Sequence, residues 1–153
     1  MDKHHLLETA RKLKKVNPET AEEYRQKSDE LIAQINQRML EKPEITNLVG
    51  EDNLSMMKDN HANHVRFMAS ILKNYNPEVF VDNVLWVFRA YRSHKFTSNY
   101  WPTQLNTWME ILKDSLTDKT FNEVYPFYEW MQAKIPIFTK LTDQDLETPN
   151  SLH

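Results

Sequence analysis

Glycine occurs once in 153 residues, at Gly50. Sandwiches and barrels use glycine at tight turns and bulges, and phosphate-binding loops use it in clusters. One glycine supplies neither, which argues against Rossmann, P-loop and β-sandwich folds. Cysteine is absent, and with it disulfides, thiolate nucleophiles, cysteine metal sites and thioether-linked chromophores. Neither sign of charge is in large excess. The 19 Lys and Arg stand against 22 Asp and Glu, a net charge of −3, which gives no electrostatic case for a nucleic-acid partner. No apolar run approaches the ~20 residues of a membrane span, and no signal peptide is visible. The expectation left standing is a cytoplasmic, all-α domain, with 40% hydrophobic and 11% aromatic residues to form its core.

Proline and capping residues punctuate the chain. Asp2 to Val16 is charged, with Leu6, Leu7, Ala10 and Leu13 on one face of a weak N-terminal helix. Asn17-Pro18-Glu19 is a helix start: a capping residue, proline in the first turn, then an acid at the positive end of the dipole. This helix is expected to run to about Glu41, where Lys42-Pro43 stops it. Pro43 to Gly50 reads as a corner. Asp52 or Asn53 then caps a second long helix to about Tyr75. Asn76-Pro77-Glu78 opens a helix to about Lys95 that is apolar on several faces and is expected to be the central one. Pro102 starts the next helix after a turn at Thr97 to Trp101. Thr117 or Asp118 caps the last main helix, in which Pro126 predicts a kink or break between Glu123 and Phe127. Pro136 is expected to end it. The domain is accordingly drawn as 1–138, with 139–153 as a polar tail. About five or six main helices with corner-like connections suit a globin-like arrangement better than a symmetric bundle.

The segment Met57 to Met68 carries the most chemistry. On a helix, Met57, His61, His64, Met68 and Ile71 share one face at steps of three and four. Two imidazoles inside an apolar stripe need a bond or a ligand to offset burial. Packed, satisfied histidines are one outcome. Zinc is another, but further ligands would have to come from Asp59 or Asp82, and the zinc-helix motif HExxH is missing. Heme is a third: one histidine as proximal ligand, a pocket from Phe67, Met68, Trp86, Phe88, Tyr91 and Trp108, and Arg66, Arg89 or Arg92 at the propionates. Ser70, Ser93 and Ser115 have no elbow glycine beside them, so no nucleophilic enzyme is expected.

Three stretches resemble the phycobiliprotein branch of the globin-like folds. Ile35-Asn-Gln-Arg-Met-Leu-Glu-Lys-Pro43-Glu-Ile resembles the helix and corner ahead of that family's chromophore region. His64-Val-Arg66-Phe67-Met68-Ala-Ser-Ile71-Leu72-Lys-Asn-Tyr75 resembles its Cys-x-Arg-Asp-Met-x-x-Ile-Leu-Arg-Tyr. Asn76 to Tyr91 resembles the following helix. His64 stands where the family has its bilin-bearing cysteine, Phe67 where it has an aspartate on the bilin nitrogens, and Arg66 matches its propionate arginine. A covalent bilin is therefore impossible here. The resemblance implies a cysteine-free, tetrapyrrole-binding relative. It would hold heme, or a non-covalent bilin, with His64 on the iron. His61, Arg66, Phe67, Met68, Trp86 and Arg89 would stand around it.

What this implies is a heme carrier or sensor, with a heme-degrading enzyme as a possible partner and a homodimer formed through the N-terminal helix. No nucleic-acid or membrane partner is expected. The alternative is a ligand-free sensor module working through the aromatic clusters Tyr100–Trp101 and Tyr125–Trp130. Gln34, Gln37, Met39 and Leu40 are the distal candidates. His61 and His64 lie ~60° apart around a helix, so only one can face an iron squarely.

Overall fold

The computed structural model describes residues 2–147. Among them the chain is helical throughout, with no strand. The helices are α1 (Lys3–Ala10), α2 (Pro18–Gln26), α3 (Ser28–Leu40), α4 (Ile45–Val49), α5 (Leu54–Lys73), α6 (Pro77–Ser93), α7 (Tyr100–Ser115), α8 (Asp118–Ala133) and α9 (Ile135–Glu147). That is nine elements rather than five or six. None of the described helices is long and apolar enough to cross a membrane.

The start signals fall where the capping chemistry puts them. Asn76 accepts from the Val79 amide and Thr117 from the Thr120 amide, so both side chains satisfy orphaned donors of a first turn. Gly50 has φ 97°, a conformation that disfavours a side chain.

Several expectations are corrected. The 18–41 helix is two helices, broken at Lys27 (φ −90°, ψ 5°). Lys27 Nζ is drawn 2.6 Å from the Ser115 carbonyl at the end of α7, a contact between segments far apart in sequence. The corner at Pro43–Gly50 contains α4, which buries Ile45, Leu48 and Val49. α8 runs unbroken through Pro126. Pro126 lies on the exposed face, where the carbonyl deprived of its partner meets water. α8 ends at Ala133, just ahead of Pro136 as expected, but the chain goes on into α9, where Pro136 is the second residue and its missing N–H costs little. The supposed tail from Thr139 is helical through Glu147. It buries Thr142 and offers the Thr139 carbonyl and the side chains of Thr142 and Asp143 to Arg92. Residues 148–153 lie outside the described ones.

α6 is not the central helix. It rests on α1 and α9 and leaves Val79 and Trp86 50% and 59% exposed. The centre is α5, which packs on α2, α3 and α4, with α7 and α8 behind its histidine face. The apolar face of α1 is used within the chain: Leu6 and Ala10 are fully buried and α1 packs on α6. That face therefore no longer argues for a dimer.

α2 and α8 are joined by an exchange of carboxylates. Glu23, near the end of α2, accepts from the Thr117 amide, the Thr117 hydroxyl and the Thr120 hydroxyl, each at 2.8 Å, at the start of α8. Glu123, in α8, accepts from the Asn17 amide at 2.7 Å and the Thr20 hydroxyl at 2.9 Å, at the start of α2. Each acid thus caps the other helix at its positive end. These bonds outweigh partial burial and hold the Glu23 carboxyl at about 2, against an ordinary value of 4.5.

Candidate functional site

The histidine face of α5 carries a hydrogen-bonded polar cluster, in which the Trp108 indole N–H is buried without a partner. His61 Nδ1 lies 2.7 Å from Asn36 Oδ1 on α3. The amide oxygen accepts, so His61 carries its proton on Nδ1. Tyr100 on α7 donates to Asn60 Oδ1 at 2.7 Å, and Gln104 Nε2 donates to the same oxygen at 2.8 Å and to the Tyr100 oxygen at 2.9 Å. One turn along, His64 Nε2 lies 2.8 Å from the Tyr128 hydroxyl, which lies 2.7 Å from the Tyr24 hydroxyl. The Trp108 ring packs against both imidazoles, 5.2 Å from His64 and 6.3 Å from His61 between centroids. Burial pushes both histidines down to about 3 from 6.5, so both are neutral across the physiological range.

The two imidazoles then part company. His61 is completely enclosed and stands outside the lining of the cavity that His64 reaches. His64 lines a cavity of about 250 Å³ wedged between α6 on one side and α5 and α7 on the other. The wedge follows from the packing. α5 and α6 are joined by a short turn, and they touch near it through Phe67 stacked on Phe80 and Tyr75 edge-on to Phe80. Beyond that point α6 follows α1 and α9 instead of α5. Tyr91, edge-on to Phe96 and Trp101, lines the gap together with Asn60 and Asn63.

The walls are apolar: Phe67, Met68, Val84, Val87, Phe88, Trp101, Leu105 and Met131. Asn60, Asn63, His64, Asn83, Tyr91 and Gln104 supply neutral hydrogen-bonding groups, and Trp86 stands at the rim. No Asp, Glu, Lys or Arg is among the lining residues.

Comparison with family models, curated proteins and solved structures returned no match.

Of the residues singled out in the sequence, the structure brings His64, Phe67, Met68 and Trp86 to the cavity. It sets His61 behind it, bonded to Asn36. Arg66 is exposed and outside the cavity lining. Arg89 lines a neighbouring groove with Lys3, Asp82 and Trp86. Asp82 pairs with Lys3 at 2.6 Å and Asp59 is exposed, so neither joins the histidines. Among the described residues no three His, Asp or Glu side chains cluster as metal ligands. The distal candidates also lie elsewhere: Gln34 bonds Ser115, Met39 is buried, and Gln37 and Leu40 face solvent. Tyr100, Trp101, Tyr128 and Trp130 are core residues, not a docking surface.

Sequence reasoning missed Asn36, Asn60, Gln104, Tyr24 and Tyr128. Asn36 and Asn60 sit on the buried faces of amphipathic helices. A polar residue at an apolar position is the signal that could have marked them.

As the site stands, heme does not fit. The volume is below the ~300–1,000 Å³ of pockets for drug-sized ligands. The lining offers propionates no cation, and His64 Nε2, the nitrogen that would meet an iron, is occupied by Tyr128.

Proposed function

We propose that this chain is a non-enzymatic ligand-binding domain whose wedge between α5, α6 and α7 takes a small, uncharged, largely apolar molecule. The observation that carries this reading is the lining itself. Apolar walls give affinity by removing surface from water. Six neutral polar side chains give orientation, and no charged group stands ready to receive an ion. A nucleophile paired with a base, or a pair of carboxylates, is also missing from the lining, so binding rather than turnover is the reading the site supports. We take the scaffold as globin-like in kind, a helical shell opened around a pocket beside a histidine-bearing helix. What supports this is the position of His64 on α5 next to the wedge.

The test is titration of the protein with neutral aromatic compounds and with hemin, followed by tryptophan fluorescence and thermal shift. The expected result is saturable binding of the neutral compounds, lost in Leu105→Trp, whose indole fills the wedge while the helical circular-dichroism signal is kept. Hemin is expected to give a broad spectrum without a stoichiometric end-point. A sharp Soret band that saturates at one equivalent and disappears in His64→Ala would overturn this reading and restore heme as the ligand.

A further inference from the structure

The cluster behind the wedge engages one ring nitrogen of His64 and leaves the other without a partner in the chain, and this deepens the reading of the cavity as a ligand site, on which it rests. Tyr24 is fully buried and its hydroxyl bonds Tyr128. If His64 carried its proton on Nε2 and donated to Tyr128, Tyr128 would donate to Tyr24. The Tyr24 proton would then be buried without an acceptor, a cost of about 1–3 kcal/mol. The reverse direction pairs both hydroxyls and Nε2 and leaves the His64 Nδ1 proton, on a residue that lines the cavity, as a donor for a ligand or water. Tyr24 donates to Tyr128, Tyr128 donates to His64 Nε2, and the imidazole proton sits on Nδ1.

We propose that His64 Nδ1–H is the specificity donor of the cavity, and that the ligand is an uncharged two-ring aromatic whose edge carries a hydrogen-bond acceptor. Size supports the ring count. An engineered apolar cavity of about 150 Å³ takes a single benzene, and the wedge has about 250 Å³. Shape supports a flat ligand, since Phe88 and Trp101 lie stacked at 4.4 Å and 20° along the wall and Phe67 closes the narrow end. Chemistry supports a neutral acceptor: the Tyr24–Tyr128 pair holds the donor from behind, and no cation competes with it.

The test uses quinoline, which has a ring acceptor, and naphthalene, which has the same shape without one. Both are titrated against the full chain and its His64→Phe variant, and the ¹⁵N shifts of the imidazoles are read in the unliganded wild type. The expected result has three parts. Both probes bind the wild type. His64→Phe weakens quinoline about fivefold to tenfold, as for one lost neutral hydrogen bond, and leaves naphthalene within twofold. The His64 spectrum shows Nδ1–H, and Tyr128→Phe converts it to a tautomer mixture. If both probes bind and His64→Phe affects them equally, the donor role is overturned and the cavity reading survives. A spectrum showing Nε2–H overturns it too, independently of whether the variants fold. If neither probe binds the wild type, the cavity reading falls and takes this inference with it.

Discussion

α5 has a tight side and a loose side. Toward α8 the contact is polar and short, and α8 and α2 are joined reciprocally, although a groove lined by Ala21, Arg25, Ala69 and Leu72 runs between α2 and α5. Glu23 and Glu123 each cap the opposite helix, and beneath them Tyr24, Tyr128 and His64 form a line of hydrogen bonds. Toward α6 the contacts are aromatic, gathered near the turn, and give way to a cavity. Both flanks draw on similar residue types, so composition does not separate them. What separates them is where the neighbouring helix finds its own partners. α2 finds its partners in α5 and α8, and α8 in α7 and α2, while α6 finds its own in α1 and α9. A ligand site follows from the second situation, because a helix held from outside need not close on the one inside.

The largest expected effect concerns the two histidines, His61 sealed in the core and His64 between the bonded side and the cavity. Their folded values of about 3 lie below the ordinary 6.5. The unfolded chain therefore binds more protons between those limits, and stability is complete above about pH 6.5 and lost as pH falls through that window. The slope is ~1.4 kcal/mol per pH unit for each histidine. Urea midpoints measured from pH 7.5 to 4.5 should fall steeply, and His64→Phe should roughly halve the slope. An unchanged slope in that variant would show that His64 is not held neutral by the fold.

Next in size is the carboxylate exchange. Glu23→Ala strips three bonds from the start of α8 and should cost about 3 kcal/mol in denaturant unfolding at pH 7. Glu23 has a folded value of about 2. Its contribution is therefore complete above about pH 4.5 and fades as pH falls toward 2, so wild type and variant should converge there. Glu123→Ala, on a more exposed acid, should cost less. Equal losses would mean the two caps are equivalent.

Smaller is the effect of Pro126→Ala, which restores a backbone donor within an unbroken helix. A gain of about 1–2 kcal/mol is expected from calorimetry, less than the ~3 kcal/mol of an interior proline because the freed carbonyl is solvated. A loss would show that α8 needs the proline for its path. Smallest is Leu105→Trp on the loose side. Filling the wedge should change stability by less than ~1 kcal/mol, whereas Ile111→Ala, in the packed part of the same helix, should cost about 2–5 kcal/mol. Comparable losses in the two would erase the distinction between the flanks.

How much of this was legible beforehand differs by feature. The all-α class followed from one glycine and from helix starts at Asn17-Pro18, Asn76-Pro77 and Thr117, because capping and proline act within a few residues and need no distant partner. The pairing of His61 and His64 on one face followed from helical periodicity alone. The break at Lys27, the burial of α9 and the unbroken path through Pro126 did not. Each depends on a contact or an exposure set by distant chain: Ser115 for Lys27, Arg92 for α9, solvent for Pro126.

The site divides the same way. Sequence by itself placed an imidazole pair beside apolar and aromatic residues, and it excluded a covalent chromophore by the absence of cysteine. Only the tertiary structure decided that His61 is sealed against Asn36 while His64 reaches a cavity. It alone set Arg66 in solvent and Arg89 in a neighbouring groove, and left the cavity walls without charge. The physical reason is range. Periodicity assigns a residue to a face of its own helix, but whether that face meets a protein partner or a gap depends on where the next helix is held, and α6 is held by the two ends of the described chain, α1 and α9.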